Sequence, residues 1–364
     1  MKIAIIGAGV TGLITAYIVA KRLPDFEIEI FDKEEDPRIK ERNSPNPSWG
    51  IGSSKSVRHL TGSECVSLEA DDALISQAPK LKVDNHNRGM DSANKAHSAT
   101  NHDGLAKWLD LIKSDSDLAN FFYGEGMIPI YSVDEESLAE SVKWEKDLYS
   151  GQRHGLPKPR VSVDQTCSKV FSDSILTSKN VEVPGIWTDL KGMLTFILDW
   201  LDSYSNASLK FNQEYCYENF EFDRYDFVID ASSAGKEFIK LNGLWVTVKN
   251  KVNLKKACKL ALPLPFGYIN ITPLRGYLEL SGGLWFGESD EIGFRKMLIK
   301  YLNPILNEDL MAATFSECAR PFHLPYGIPI FKKINKKTIM IGGGSKAGCI
   351  HAPFLADKVI DFMS

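Results

Sequence analysis

The chain has little cysteine, and no two cysteines are placed to act together. Its six, Cys65, Cys167, Cys216, Cys258, Cys318 and Cys349, are widely scattered. No C-x-x-C pair is present to build a zinc knuckle or a redox dithiol, and free thiols in a reducing cytosol are the simplest expectation. Charge of one sign does not accumulate either. The 43 Lys and Arg stand against 47 Asp and Glu, for a formal charge of −4, and no basic block stands alone. That excludes the electrostatic footprint of a phosphate backbone or an anionic membrane surface, and with it nucleic acid as an expected partner. Long uninterrupted apolar runs are missing as well. The one stretch that resembles a signal core, Ile3 to Ala20, is broken by Gly7, Gly9 and Gly12 and is followed at once by a strand-like segment. Neither a signal peptide nor a membrane span is expected, and a cytoplasmic location is.

What the sequence does have is bulk and an ordinary globular make-up. Its 364 residues, 43% hydrophobic and 25% charged, exceed a domain size of roughly 150 residues and suit two interleaved lobes. Lys2 to Ile6 reads as a short buried strand, Thr11 to Arg22 as an apolar-faced helix, and Glu27 to Phe31 as an alternating strand. Between the first strand and the helix lies GAGVTG, Gly7 to Gly12, with Asp32 twenty positions beyond Gly12. Gly7 allows a tight turn, Gly9 lets the backbone approach a pyrophosphate, and Gly12 permits close helix packing. The helix N-terminus supplies N–H donors and a favourable dipole, and Asp32 is placed to accept from a ribose hydroxyl. The motif predicts a dinucleotide site without separating NAD from FAD.

Further on, Trp49 to Arg58 is Gly- and Ser-rich and reads as a ligand-facing loop. Lys80 to Asp103 has few large apolar residues and reads as an exposed insertion or lid. His86, His97 and His102 fall in it at a spacing that matches no helical ligand pair, so no metal is expected there. Leu190 to Tyr204 predicts an amphipathic helix, Tyr225 to Ala231 a buried strand, and Leu260 to Gly287 short strands of an antiparallel sheet. The last segment repeats the opening design: strand TIMIG, the turn carrying Gly344, Ser345, Lys346 and Gly348, then a helix to the C-terminus. That helix aims its positive end at a ligand lying across the sheet from the first motif. A flavin suits the arrangement, because reduced isoalloxazine carries negative charge near N1 and the O2 carbonyl.

These segments resemble the FAD-dependent D-amino-acid oxidase superfamily, in particular its glycine-oxidase and monomeric sarcosine-oxidase branches. The likeness covers about the first 65 and the last 45 residues, with RPFHLPYGIP at Arg320 to Pro329 similar to the family's R-P-x-x-P-D-G-x-P. It implies an α/β fold with a Rossmann-like FAD-binding domain of the GR2 type and an interleaved antiparallel-sheet substrate domain. Residues 1–80, 155–235 and 325–364 would form the first domain, and 81–154 with 236–324 the second, with its polar insertion near 80–103. GSSKSVRHL, Gly52 to Leu60, is similar to the family's Ser-rich turn. Ser53 and Ser54, with Ala231 after the third strand, would then contact FAD, and Lys55 would stand near its ring. Arg58 and Arg320 would hold a substrate carboxylate. Cys318 lies where the sarcosine branch attaches its flavin, so non-covalent binding, which is favoured, and covalent binding through Cys318 both stay open. Tyr326 replaces the family's Asp, Ile350 a lysine that helps bind carboxylate, and Glu279 falls at the place of the oxygen-activating lysine.

The activity implied is oxidation of the C–N bond of an amino acid or secondary amine by hydride transfer to flavin N5, with oxygen or another acceptor taking the electrons. Trp285 is a candidate apolar wall of the site. Two alternatives remain: a flavin dehydrogenase or tailoring oxidase acting on a larger, carrier-bound or peptide substrate, and a non-catalytic FAD-binding subunit.

Overall fold

The computed structural model describes residues 1–38, 57–61 (backbone only), 72–78, 81, 83–215, 220–344 and 347–364. Ser53, Ser54, Lys55, Ser345 and Lys346 lie outside the described residues.

The apolar runs KIAII, EIEIF and FVID are too short for helices and rich in β-branched residues, and they become the centre of a parallel sheet. Strand β1 (Lys2–Ile6) lies between β2 (Glu27–Phe31) and β9 (Phe227–Asp230), with β8 (Ala207–Lys210) beyond β2 and β16 (Thr338–Gly342) beyond β9. An antiparallel strand, β15 (Ile330–Lys333), closes the β16 edge. Alternate side chains part to two faces. Ile3, Ile5, Ile28, Ile30 and Ile229 meet helices α1 (Val10–Arg22), α6 (Leu190–Ser203) and α9 (Gly348–Met363), while Ala4, Ile6 and Val228 meet Phe31, Phe220 and Tyr225.

The second sheet runs β14 (Ser316–His323), β10 (Phe238–Lys249), β13 (Tyr277–Trp285), β12 (Tyr268–Leu274), β11 (Cys258–Ala261), β5 (Met127–Ser132), β7 (Leu176–Asp189) and β3 (Val57–Thr61). Short strands β4 (Phe122–Tyr123) and β6 (Arg160–Ser162) also pair with β7. Only the β5–β11 pair on this path is parallel. One face is apolar: Leu244, Val246, Ile269, Ile271, Leu278 and Leu280 pack under helices α7 (Glu291–Tyr301) and α8 (Asn307–Ala312). Helices α2 (Asp72–Gln77), α4 (Ser116–Ala119) and α5 (Glu135–Leu148) lie at the margins. Among the described residues no helix is long and apolar enough to cross a membrane.

The segments expected to form two lobes each serve both layers. Of residues 155–235, β6 and β7 join the large sheet, whereas α6, β8 and β9 build the parallel layer. Of residues 81–154, β4 and β5 join the large sheet, while a long helix from the same segment packs on the parallel layer.

That helix, α3 (Val83–Ser114), corrects the expectation of an exposed insertion at 80–103. Asn94, His97, Ser98, Asn101, His102, Leu105 and Trp108 recur at helical spacing, and all are buried. The buried stripe is polar over most of its length, which hides its period from a hydropathy reading. Its groups are bonded: His97 Nε2 donates to the Gly327 carbonyl (3.2 Å), Ser98 Oγ to Leu148 O (2.7 Å), His102 Nδ1 to Ser98 O (2.8 Å) and Trp108 Nε1 to Cys349 O (2.9 Å). His86, also buried, stacks on Tyr326.

Gly104 sets how closely α3 approaches α9, because a Cβ there would stand 2.1 Å from the Ile350 carbonyl oxygen. Gly104→Ala should gain up to about 1 kcal/mol of helix propensity and lose about 1–3 kcal/mol to overpacking against backbone that cannot yield. A lowered melting temperature is therefore expected in thermal denaturation, and a raised one would mean that the helices can separate at little cost.

Candidate functional site

The C-terminal ends of β1, β9 and β16 meet at one edge of the parallel sheet, and glycine makes the meeting possible. Gly7 has φ +101°, and a Cβ on it would lie 2.9 Å from the Ser232 backbone. At Gly12 a Cβ would lie 1.8 Å from the Gly7 carbonyl oxygen, so the first turn of α1 packs directly on the strand-to-helix turn. A Cβ on Gly9 would meet nothing within 4 Å, which leaves open space where a ligand's backbone approach would be made. Asp32 is fixed by its own turn, its Oδ2 accepting from Ala8 N (2.6 Å) and its Oδ1 from Glu34 N (2.9 Å).

Helices α1 and α9 both start without a side-chain cap or an acidic residue in the first turn. Helices α4, α5, α6 and α7 instead begin on Asp115, Asp134, Asp189 and Asp290, each accepting from a first-turn N–H. The two Gly-rich helix starts thus keep their donors and dipole for something else. Between them, Ala231 is buried and Asp230 is 1% exposed. Asp230 Oδ1 accepts from Ser232 N and Oγ, whereas Oδ2 has no partner among the described residues. Burial pushes this carboxyl above the usual range.

The second Gly-rich turn is equally crowded. A Cβ on Gly343 would press on His323 and Phe238, and one on Gly344 would lie 2.6 Å from His351 Nδ1, whereas Gly348 faces open space. Gly344 also bridges to Phe322, which ties β14 of the large sheet to this turn.

Two residues before that bridge sits Arg320, 4% exposed. Its guanidinium lies over Gly243, where a Cβ would come within 2.2 Å, and donates to Gly283 O (3.2 Å). Cys318 is opposite Gly243 in the ladder and is buried. Arg58 lies in β3 opposite Thr188, so its backbone belongs to a strand and not to the expected ligand loop. Trp285 covers Gly283 and stands edge-on to Phe266 and Phe294, within the apolar side of the sheet, and does not form a free wall.

The sheet beside Arg320 carries residues that the motifs did not indicate. Lys259, Asn270, Thr272, Glu279 and Ser281 are all buried, on the side opposite the apolar core. Their signal in the sequence is alternation, Asn270 and Thr272 in YINITPL and Glu279 and Ser281 in YLELSGG, which reads as a solvent face unless the sheet is known to be covered.

With this geometry in place, comparison with known proteins becomes informative. Residues 5–63 match the family model of an NAD(P)-binding Rossmann-like domain. Glycine oxidase from Geobacillus kaustophilus superposes with a TM-score of 0.65 at 14% identity, over 99% of this chain and 94% of that one. The chain has the glycine-oxidase fold. L-α-glycerophosphate oxidase from Mycoplasma pneumoniae, solved with FAD bound, gives 0.65 at 14% identity over 100% and 94%. L-proline dehydrogenase from P. horikoshii gives 0.62 at 13% over 100% and 93%. No curated protein matches the sequence.

Within the glycine-oxidase fold of this chain, the turn at Gly344 is backed by paired imidazoles. His351 is fully buried, hydrogen-bonds Asn101 through Nε2, and stands edge-on to His97 at 5.2 Å. Burial, and then the neighbouring His97, hold its pKa well below the histidine range, and burial lowers His102 and His323 as well. A histidine whose folded pKa is depressed contributes stability that is present above its unfolded value near 6.5 and is lost as pH falls through that value. The melting temperature is therefore expected to drop between pH 7.5 and 5.5, and His351→Gln to flatten that slope. An unchanged slope would mean that His351 is not held neutral.

Proposed function

We propose that the chain is an FAD-dependent oxidoreductase that oxidises the C–N bond of an amino acid or a secondary amine. The observation that carries the reading is the buried guanidinium of Arg320, set beside the second Gly-rich turn through the Phe322–Gly344 bridge. Glycine oxidase and proline dehydrogenase are named for carboxylated amines, and both share the fold.

The residues present fit FAD. Gly7, Gly9 and Gly12 would receive the pyrophosphate at the uncapped start of α1, Asp32 the ribose, and Ala231 the approach of the cofactor beside Ser232. Gly344, Ser345, Lys346 and Gly348 would place the start of α9 at the flavin, with Ser53, Ser54 and Lys55 completing the contacts. FAD held there supplies a two-electron acceptor for the hydride on the carbon next to a neutral amine. Arg320 binds the substrate carboxylate through its planar fork, and its burial removes competing water. Gly243 and Gly283 leave room for the guanidinium and fix its direction, so positioning is the main work of the chain's own residues. Arg58 is a second candidate for the carboxylate. Cys167, Cys258, Cys318 and Cys349 are free and buried, which suits a reducing cytoplasm.

The purified protein is expected to show twin flavin bands that bleach anaerobically with an amino acid or N-methyl amine, and colour released on acid precipitation would establish non-covalent binding at Cys318. Arg320→Met should raise KM for carboxylated amines and lower kcat/KM by roughly 10- to 150-fold, the range for a hydrogen bond to a charged group. Equal reduction by an amine and its carboxylated counterpart would remove Arg320 from the site. A flavin that no amine bleaches would overturn the reading.

A further inference from the structure

We propose that the buried polar face of the large sheet is a second subsite, and that the substrate is a carboxylated amine extended by an amide-bearing tail. The inference rests on the reading above for the position of the carboxylate. Register brings the face into order. Trp245, Ser281, Asn270 and Lys259 stand side by side across β10, β13, β12 and β11, with Thr247, Glu279 and Thr272 in the next row. Lys259 and Thr272 are 0% and 1% exposed, and Ser281, Asn270 and Glu279 stay below 10%.

The sheet curls around this face. Strand β3, at the end of the strand order, touches β12 in the middle of it. Trp187 of β7 packs with Ala257 and Leu274, and Arg275 at the β12–β13 turn pairs with Asp189 (2.7 Å). The face therefore lies on the inner side of the curl, and Arg320 sits on the strand that meets the Gly344 turn.

A purely structural polar layer satisfies itself, because a buried acceptor left unbonded costs more than a bond returns. Asn270 does not fit that description. It is 7% exposed, and its Oδ1 has no hydrogen-bond partner among the described residues. A ligand N–H would supply one. Directly across the ladder, Lys259 carries an ammonium over the Tyr268 ring, at 5.5 Å from its centroid. An acceptor and a donor on adjacent strands, about 5 Å apart, match the N–H and C=O of one amide.

Distance sets the length of the tail. Arg320 bonds Gly283 O, and Ser281 and Glu279 lie two and four residues before Gly283 on the same strand. At 3.3 Å per residue these are about 7 and 13 Å away. The α-amine and carboxylate of glycine span far less and leave the face unused.

Stopped-flow flavin reduction of the holoprotein with glycine, norleucine, glutamine and Nε-acetyl-lysine, each chiral substrate in both enantiomers, tests the proposal. Nε-acetyl-lysine should exceed norleucine by about tenfold in kcat/KM, as one added hydrogen bond allows, and Asn270→Leu should bring that ratio towards one. The melting temperature of ligand-free Asn270→Leu supplies an independent reading. It should rise, since an unbonded buried acceptor is removed, whereas a structural asparagine would lower it. Reduction by glycine and norleucine with no gain from the amide would overturn the subsite and leave the proposed function standing. Reduction by none of these amines would remove the proposed function, and a lowered melting temperature of Asn270→Leu would then overturn the subsite as well.

Discussion

The site depends on one steric constraint: backbone must meet backbone where the strands of the parallel sheet end. Gly7 lies against Ser232 with no room for a Cβ, and Gly12 lies against the Gly7 carbonyl. With those contacts made, the starts of α1 and α9 come to one edge of the sheet with their donors unspent. The orphaned Oδ2 of Asp230 is buried at the same edge. An unsatisfied carboxyl oxygen and two uncapped helix starts are each unfavourable in isolation, and their concentration in one place is what a polar ligand would relieve.

A second constraint lies behind the first. Helices α3 and α9 touch through Gly104, and their interface is built from imidazole, amide and hydroxyl groups in place of aliphatic ones. Hydrogen bonds are directional where apolar contacts are not, so His97, Asn101 and His351 fix the rotation of α9 about its axis. The position of the Gly344 turn, and so the aim of the α9 start, follows from that packing.

The parts of the molecule governed by local rules were legible in the sequence. Strands Lys2–Ile6, Glu27–Phe31 and Thr338–Gly342 fall where alternation and turn residues put them, and Leu190–Ser203 is a helix as its period requires. Two regions were not legible, for one physical reason. In α3 and on the large sheet's inner face, polar residues occupy buried positions, so hydropathy assigns them to solvent while spacing assigns them to a face. His97, Asn101, Asn270 and Glu279 keep strict helical or strand spacing, and that regularity was the available signal.

The route of the chain between its layers has a mechanical consequence. It passes from one sheet to the other between β2 and β3, β7 and β8, β9 and β10, and β14 and β15. Two bodies joined by a single strand of backbone can rotate as a hinge, but bodies sewn together at four seams resist rotation about any axis. Ligand entry and product exit therefore fall to loops at the rim. The geometry around Arg320 is set when the chain folds, and discrimination between substrates rests on the shape of a rigid vessel.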